Sequence, residues 1–447
     1  MRLSPKLHVT AALLTAFIVT SGNAEERAPF HLRLQVRVDP ASHKLEAEAK
    51  IQHPPSSRFY LHKGLSVHQV TADGKPVSFH SDPSAAPLPY SPSSAAVVVD
   101  AQDTQLLELK YGGEISEVIG GVNMITPDLV ELALYSAWFP MFAGTKECTL
   151  ELEANLPKGL LAITNGQQKA SREQEGRSIT VWTSYGPGMD IVLLASPLLH
   201  RLAGEPKGTQ VDVYSYRLPE QLLKSKIEGL ATGMKRLSRL YGPPRVKGVL
   251  RLVYSPRSGW GYSRLPLIVV SEERAQQVLS RDNGEARDFR DNCHEMAHFW
   301  WGIADPSTPD DWINEGLAEF TAFRLTEERY GKAFADMRIA EYRQNASSSK
   351  TSSSIAETEG ASPDREVNRY DKATLMFLEA RRRFGEEPLD KFLKALYTRY
   401  AGTGEATTAL FLEEVGRQMG KEAQTFFREE LYRRPPMGPG DNPAAVN

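Results

Sequence analysis

The sequence predicts an α+β, multidomain protein: an antiparallel β-sandwich-like N-terminal domain, then a mixed α/β domain that ends in helices. Two observations predict it. Up to about residue 215, short apolar runs with period-two stretches alternate with turn residues, as half-buried strands do. From about 216 the spacing becomes that of amphipathic helices. The expected division is a leader over 1–24, a β domain over 25–215, a mixed domain over 216–434 and a disordered tail over 435–447.

The strand signals fall at 31–38, 45–51, 95–99, 106–111, 148–152, 178–182 and 191–194, with turns such as Ala72-Asp73-Gly74-Lys75-Pro76 between them. Residues 219–241 form one amphipathic helix, with Leu223, Ile227, Leu230, Met234 and Leu237 on one side. Short apolar strands follow at 249–254 and 267–270. Helices are then expected over 285–301, 313–331, 333–345, 369–385, 387–399, 407–418 and 421–432. The serine-rich stretch 347–354 is of low complexity and reads as a mobile loop. No internal repeat is present.

The chain of 447 residues is 41% hydrophobic and 24% charged, ordinary values for a soluble protein of two or three domains. Arg2 and Lys6 precede an apolar run over 9–19, and Gly22 and Ala24 supply the small residues of a signal-peptidase site. A signal peptide cleaved after Ala24 is expected, with an uncleaved anchor as the alternative. The run is short for a span of about 20 residues. Cleavage removes two basic residues and no acidic one, so the formal charge moves from −3 to −5. That balance argues against nucleic acid as a partner. No later stretch is apolar enough to cross a membrane. The mature chain is expected to be exported, periplasmic or extracellular. Cys148 and Cys293 are read as free, buried thiols. Nothing in the sequence speaks to oligomeric state.

The chemistry concentrates in Cys293-His294-Glu295-Met296-Ala297-His298. Residues four apart lie on one helix face, so His294 and His298 can place two imidazoles on one metal. Glu295 sits about 100° round the same turn. It can reach a water on that metal without ligating it. Downstream, Asp311-Trp312-Ile313-Asn314-Glu315-Gly316-Leu317-Ala318-Glu319 opens a second helix that carries Glu315 as third ligand. Two His and one Glu with an open fourth position is the hydrolytic zinc arrangement. One Zn2+ per chain is expected. Such a zinc lowers the pKa of its water toward neutrality, and Glu295 is the expected general base. Glu319, four residues after Glu315, is the candidate outer acceptor for one zinc histidine. A plain surface salt bridge is its competing reading.

HEMAH followed by WINEGLAEF resembles the gluzincin peptidases, in particular the alanyl aminopeptidase and leukotriene hydrolase family. That family usually has eighteen residues between its second His and its Glu; here there are sixteen, 299–314. The loop 304–310 can absorb the loss. The resemblance implies a thermolysin-like catalytic domain, an N-terminal β domain and a peptide substrate. The chain matches a short form, without the helical C-terminal domain of typical members. Asn368-Arg369-Tyr370-Asp371-Lys372-Ala373 resembles the segment whose tyrosine bonds the tetrahedral intermediate, which implies that role for Tyr370. The β domain lends a loop to the family's substrate pocket, which makes Tyr135 and Trp138 candidates for its wall, against core packing as the plainer reading.

One departure stands out. Where the family has Gly-x-Met-Glu-Asn, this chain has Gly261-Tyr262-Ser263-Arg264-Leu265-Pro266. The family's glutamate grips the substrate's α-amine; aligned on Pro266, Arg264 takes its place. A guanidinium there repels a protonated amine. The strand after Pro266 is expected to be the edge on which peptides lie. Two readings follow. Either Arg264 faces substrate, and acidic, blocked or longer peptides are preferred, or the amine is held elsewhere, by Glu272 or Glu273, and Arg264 points away. The expected function is an exported zinc metallopeptidase. Its rivals are an ordinary aminopeptidase, a non-catalytic scaffold and a hydrolase of a non-peptide bond.

Overall fold

The computed structural model describes residues 30–116, 124–144, 147–188, 190–259, 261–351 and 353–434. The leader over 1–24 and the tail over 435–447 lie outside them. In strand Phe30–Asp39 every second side chain is buried, Leu32, Leu34, Val36 and Val38 among them, while Arg33, Gln35 and Arg37 face water. That alternation puts one sheet face on a core and leaves the other wet. The sheet has eight strands, running from Gln167–Gln174 through Arg177–Thr183, Cys148–Pro157, Phe30–Asp39, Lys44–Gln52, Leu106–Glu114 and Leu65–Ala72 to Lys75–Pro76. A three-stranded sheet of Arg58–His62, Ser94–Val99 and Phe79–Asp82 shares its core. The expected sandwich is therefore not wholly antiparallel. Phe30–Asp39 pairs with Cys148–Pro157 in parallel, because the chain returns to it only after a long crossover.

A four-stranded sheet of Leu161–Thr164, Leu193–Ser196, Val130–Leu132 and Met124–Ile125 lies between this region and the site. Beyond it is a five-stranded mixed sheet: His200–Gly204, Val211–Ser215, Leu250–Ser255, Leu267–Ser271 and Tyr262–Arg264. Its first two strands precede residue 216, so the expected boundary falls inside this sheet. The sheet is covered on both faces. Leu252, Tyr254 and Ile268 pack toward helices, and Val253, Leu267 and Val269 pack toward the four-stranded sheet. Burial on both sides accounts for the apolar Leu250, Leu252, Val253 and Tyr254 of this strand.

Among the described residues the helices are α1 (Glu220–Tyr241), α2 (Glu272–Leu279), α3 (Gly284–Ala297), α4 (Trp312–Tyr330), α5 (Lys332–Ala346), α6 (Ala373–Phe384), α7 (Glu386–Tyr400), α8 (Thr408–Met419) and α9 (Lys421–Tyr432). Helix α3 is shorter than expected: residues 298–301 form a closing turn, with the Trp300 and Trp301 amides donating to Ala297 O. A π-helical turn, Val367–Lys372, leads into α6. The serine-rich stretch is not free. Asp364 accepts hydrogen bonds from Ser349 Oγ, the Lys350 amide and the Thr351 amide and hydroxyl. No helix of the described residues is long and apolar enough to cross a membrane.

Candidate metal centre

Helix α3 carries His294, and its C-terminal cap is His298 one turn on, their rings 4.9 Å between centroids and nearly perpendicular. The face behind them is pinned by buried polar groups. Lys226 of α1 pairs with Asp288 at 2.5 Å, and Asp288 also accepts from Tyr254 and Asn292. Helix α4 crosses close to α3 and brings in Glu315. Its Oε2 lies 3.2 Å from His294 Nε2 and 3.6 Å from His298 Nε2. One ligand atom from each of the three residues falls within 4.8 Å of the others. Two imidazole nitrogens and one carboxylate oxygen, converging in a half-buried corner, fit zinc.

Each histidine has its outer acceptor. His298 Nδ1 faces Trp301 O at 3.1 Å, and His294 Nδ1 faces Glu319 Oε2 at 3.0 Å. Such contacts orient the ring and leave Nε2 for the metal. Glu319 is buried, which excludes its reading as a surface salt bridge. Its other oxygen accepts from Arg290 and the Tyr342 hydroxyl. Burial pushes its carboxyl up, yet Arg290, His294 and Arg338 together hold it well below the usual carboxylate range.

The start of α4 is set by Asn314. Its Oδ1 accepts from the Ile303 and Ala304 amides, and its Nδ2 donates to Ala304 O and Asp311 Oδ1. This clamp ties the short connecting loop to the helix that bears Glu315. Gly316 is needed next to it. A Cβ there would meet Ala373 Cβ at 2.7 Å and Arg369 O at 3.2 Å, so glycine lets the π turn and the start of α6 pack against α4. On that turn Tyr370 stacks on His294, centroids 5.4 Å apart. Burial and the Glu315 carboxylate both push its phenol up, so the hydroxyl keeps its proton.

Glu295 lies off the ligand set, against the sheet edge. A Cβ on Gly261 would come 3.1 Å from Glu295 Oε1, so glycine leaves the room this carboxylate uses. Burial pushes Glu295 up from the ordinary carboxylate value. The edge itself is Tyr262–Arg264. Leu267–Ser271 runs between it and Leu250–Ser255, so the strand after Pro266 is interior.

Arg264 sits on this edge and is already paired. Its Nε donates to Asp190 Oδ2 at 2.6 Å and its Nη2 to the Tyr135 hydroxyl at 2.9 Å. Burial alone lowers a guanidinium's pKa; Tyr135 and Asp190 reverse that and keep it charged. Tyr262 lies under two guanidinium groups, Arg264 at 5.5 Å and Arg257 at 5.2 Å from its ring centroid. Arg257 pairs with the buried Glu131 at 3.4 Å. Glu272 is buried and accepts from Ser215 Oγ and the amides of 216–218, while Glu273 is exposed on α2. Tyr135 does border the site. Trp138 does not: it is fully buried in the first core, where its indole N–H donates to Ile191 O. The aromatic run 135–139 could not separate the two in sequence. Asp190 and Glu131 were not picked out, since neither has a local signal that links it to residues 257–264. Cys148 and Cys293 are free and buried.

The architecture is that of the two-domain M1 zinc metallopeptidases. The structure superposes on the M1 zinc metallopeptidase from Deinococcus radiodurans with a TM-score of 0.70 and 18% identity, covering 93% of this chain and 96% of that one. A mutant form of that metallopeptidase bound to a Tyr-Ser-Ala substrate gives a TM-score of 0.69 at 18% identity, over 93% and 95% of the two chains. Native leukotriene A4 hydrolase from Saccharomyces cerevisiae gives 0.66 at 15% identity, over 93% of this chain and 69% of that one. In sequence, aminopeptidase RNPEPL1 of Homo sapiens is 27% identical over 210 residues, 46% of this chain. The chain spans 27% of that relative's length. No protein-family model matches.

Proposed function

We propose that the chain is a zinc-dependent metallopeptidase with Glu295 as general base and Tyr370 as oxyanion donor. The observation that carries this reading is the convergence of His294, His298 and Glu315 within 4.8 Å, inside a fold shared with M1 zinc metallopeptidases. A zinc ion held by these three side chains supplies a Lewis acid for hydrolysis. Glu295 accepts a proton from the attacking water and returns it to the leaving amine. The Tyr370 hydroxyl, kept protonated by burial, donates to the developing oxyanion. A peptide adding as a strand to the Tyr262–Arg264 edge would run past Glu295. The leader over 1–24 supports export; N-terminal sequencing of the mature chain tests that part, and an N-terminus at Met1 would overturn it.

The finer reading concerns the α-amine. Arg264 stands at the substrate edge, and the carboxylates around Tyr262, Asp190 and Glu131, each already serve a guanidinium. Asp190 is spent on Arg264, whereas Glu131 Oε1, 3.4 Å from Arg257 Nε, accepts no hydrogen bond among the described residues; with a guanidinium on the edge itself, longer, blocked or acidic peptides are favoured over free amino-acid derivatives. The Asp190 partner softens the repulsion expected of a bare cation. A second reading has two observations in its favour: the sequence relative is named an aminopeptidase, and Asp190 is a carboxylate at the right edge. The test is the specificity constant for matched free and N-acetylated peptides, in wild type, Arg264→Glu and Arg264→Gln. The glutamine variant is the gentler one, because a new glutamate would face Asp190. Wild type should favour the acetylated peptide, and both variants should shift toward the free amine. A wild type that strongly prefers the free amine, with Arg264→Gln inactive yet zinc-loaded, would establish the second reading.

A further inference from the structure

The mechanism above leaves one cation at the centre without a task. Arg365 lies five residues before Tyr370, where the chain enters the π turn Val367–Lys372. A π turn bonds residues five apart, which stacks Arg365 and Tyr370 toward one side. Its guanidinium Nη2 is 3.4 Å from Asp311 Oδ2 and 4.0 Å from Glu315 Oε1. The two oxygens of Glu315 are thus divided: Oε2 faces the histidines and Oε1 faces Arg365.

Asp311 does not need this partner. Arg369, itself buried, pairs with the same Oδ2 at 2.5 Å, and Asn314 holds Oδ1. Arg369 is further fixed by Thr308 O and Thr358 O. The other contact of Arg365, to the exposed Glu366 at 2.9 Å, is of the kind that contributes little to stability. Arg365 is also 29% exposed. The group with most to gain from it is Glu315.

We propose that Arg365 is a positioning residue for Glu315: anchored on Asp311, it holds the oxygen that faces away from the histidines and so fixes the carboxylate as a one-oxygen ligand. The inference rests on the zinc reading above. Without Arg365, Glu315 loses the cation facing Oε1 and its carboxylate can turn to bind through either oxygen or both.

The test measures Zn2+ affinity by competition with a chromogenic chelator, on the full chain, for wild type, Arg365→Gln, Arg365→Lys and Glu366→Ala. Melting of the zinc-free proteins is followed in parallel. Loss of an outer-shell partner typically costs about 10–100-fold in metal affinity. Arg365→Gln should fall in that range with the zinc-free melting temperature unchanged. Arg365→Lys, whose single ammonium cannot span Asp311 and Glu315 together, should fall between. Glu366→Ala should match wild type. Peptide turnover at saturating zinc should recover in large part for both Arg365 variants. Wild-type zinc affinity in Arg365→Gln overturns the proposal, and so does a loss of melting temperature in the zinc-free protein that accounts for the weaker binding. If the glutamine variant does not fold, a lysine variant with wild-type affinity overturns it equally. A wild-type chain that binds no zinc defeats the zinc reading itself, and this inference with it.

Discussion

The two sides of the metal centre are built on different plans. Behind His294, Glu319 is buried and saturated with donors from α3 and α5, all within one helical layer. In front, Glu295 lies against Gly261 beside the sheet edge that carries Arg264, and Arg264 is held by Tyr135 and Asp190, which lie 129 and 74 residues away in sequence. The rear is assembled by helix periodicity and holds the ligands. The front is assembled across sheets and, in the proposed reading, faces substrate. If this division is right, rear substitutions loosen the metal while front substitutions spare it and lower turnover.

The largest effect is expected at Glu295. Glu295→Gln should keep its zinc and lose about 10²–10⁴ in turnover, the usual worth of a positioned general base. Parallel metal analysis and single-turnover assays check this; loss of zinc in this variant would blur the two sides. Tyr370→Phe comes next, with zinc retained and turnover down by about 10²–10³, as for one oxyanion donor. Stopped assays at saturating peptide measure it, and wild-type turnover would mean that another group stabilises the oxyanion. Glu319→Gln should behave in the opposite way, with zinc affinity down by about 10–100-fold and turnover per bound zinc largely kept. Chelator competition reads the first and zinc-saturated assays the second. Trp138→Ala sharpens the contrast from outside the site. It should cost about 3–5 kcal/mol of stability, as for a large core aromatic, and leave peptide preference unchanged. Denaturant unfolding measures the cost; a changed preference would return Trp138 to the pocket wall.

The same division decides how much was legible in the sequence. His294, His298 and Glu319 follow from spacings of four on two helices, which no tertiary detail can rearrange. Glu315 needed only that the second helix return to the first. The front depends on register and sheet order, and these are not local. The apolar run 267–270 reads equally as an edge or an interior strand; only its pairing on both sides makes it interior. Asp190 and Glu131 carry no motif, so the partners of Arg264 and Arg257 were out of reach. Arg365 was hidden for another reason. In an α-helix it would point well away from Tyr370, and the π turn that aligns them leaves no trace in apolar spacing. Strands 200–204 and 211–215 join the sheet of 250–255, which their own patterns could not say.

The claim on which all of this rests is that His294, His298 and Glu315 hold one catalytic zinc. Metal analysis of the purified chain, with peptide hydrolysis followed in the same samples, tests it most directly. Wild type should contain one zinc per chain, and His298→Ala and Glu315→Ala should contain essentially none and be inactive. Peptide hydrolysis by a zinc-free wild type, or zinc retained at full occupancy in Glu315→Ala, would contradict it.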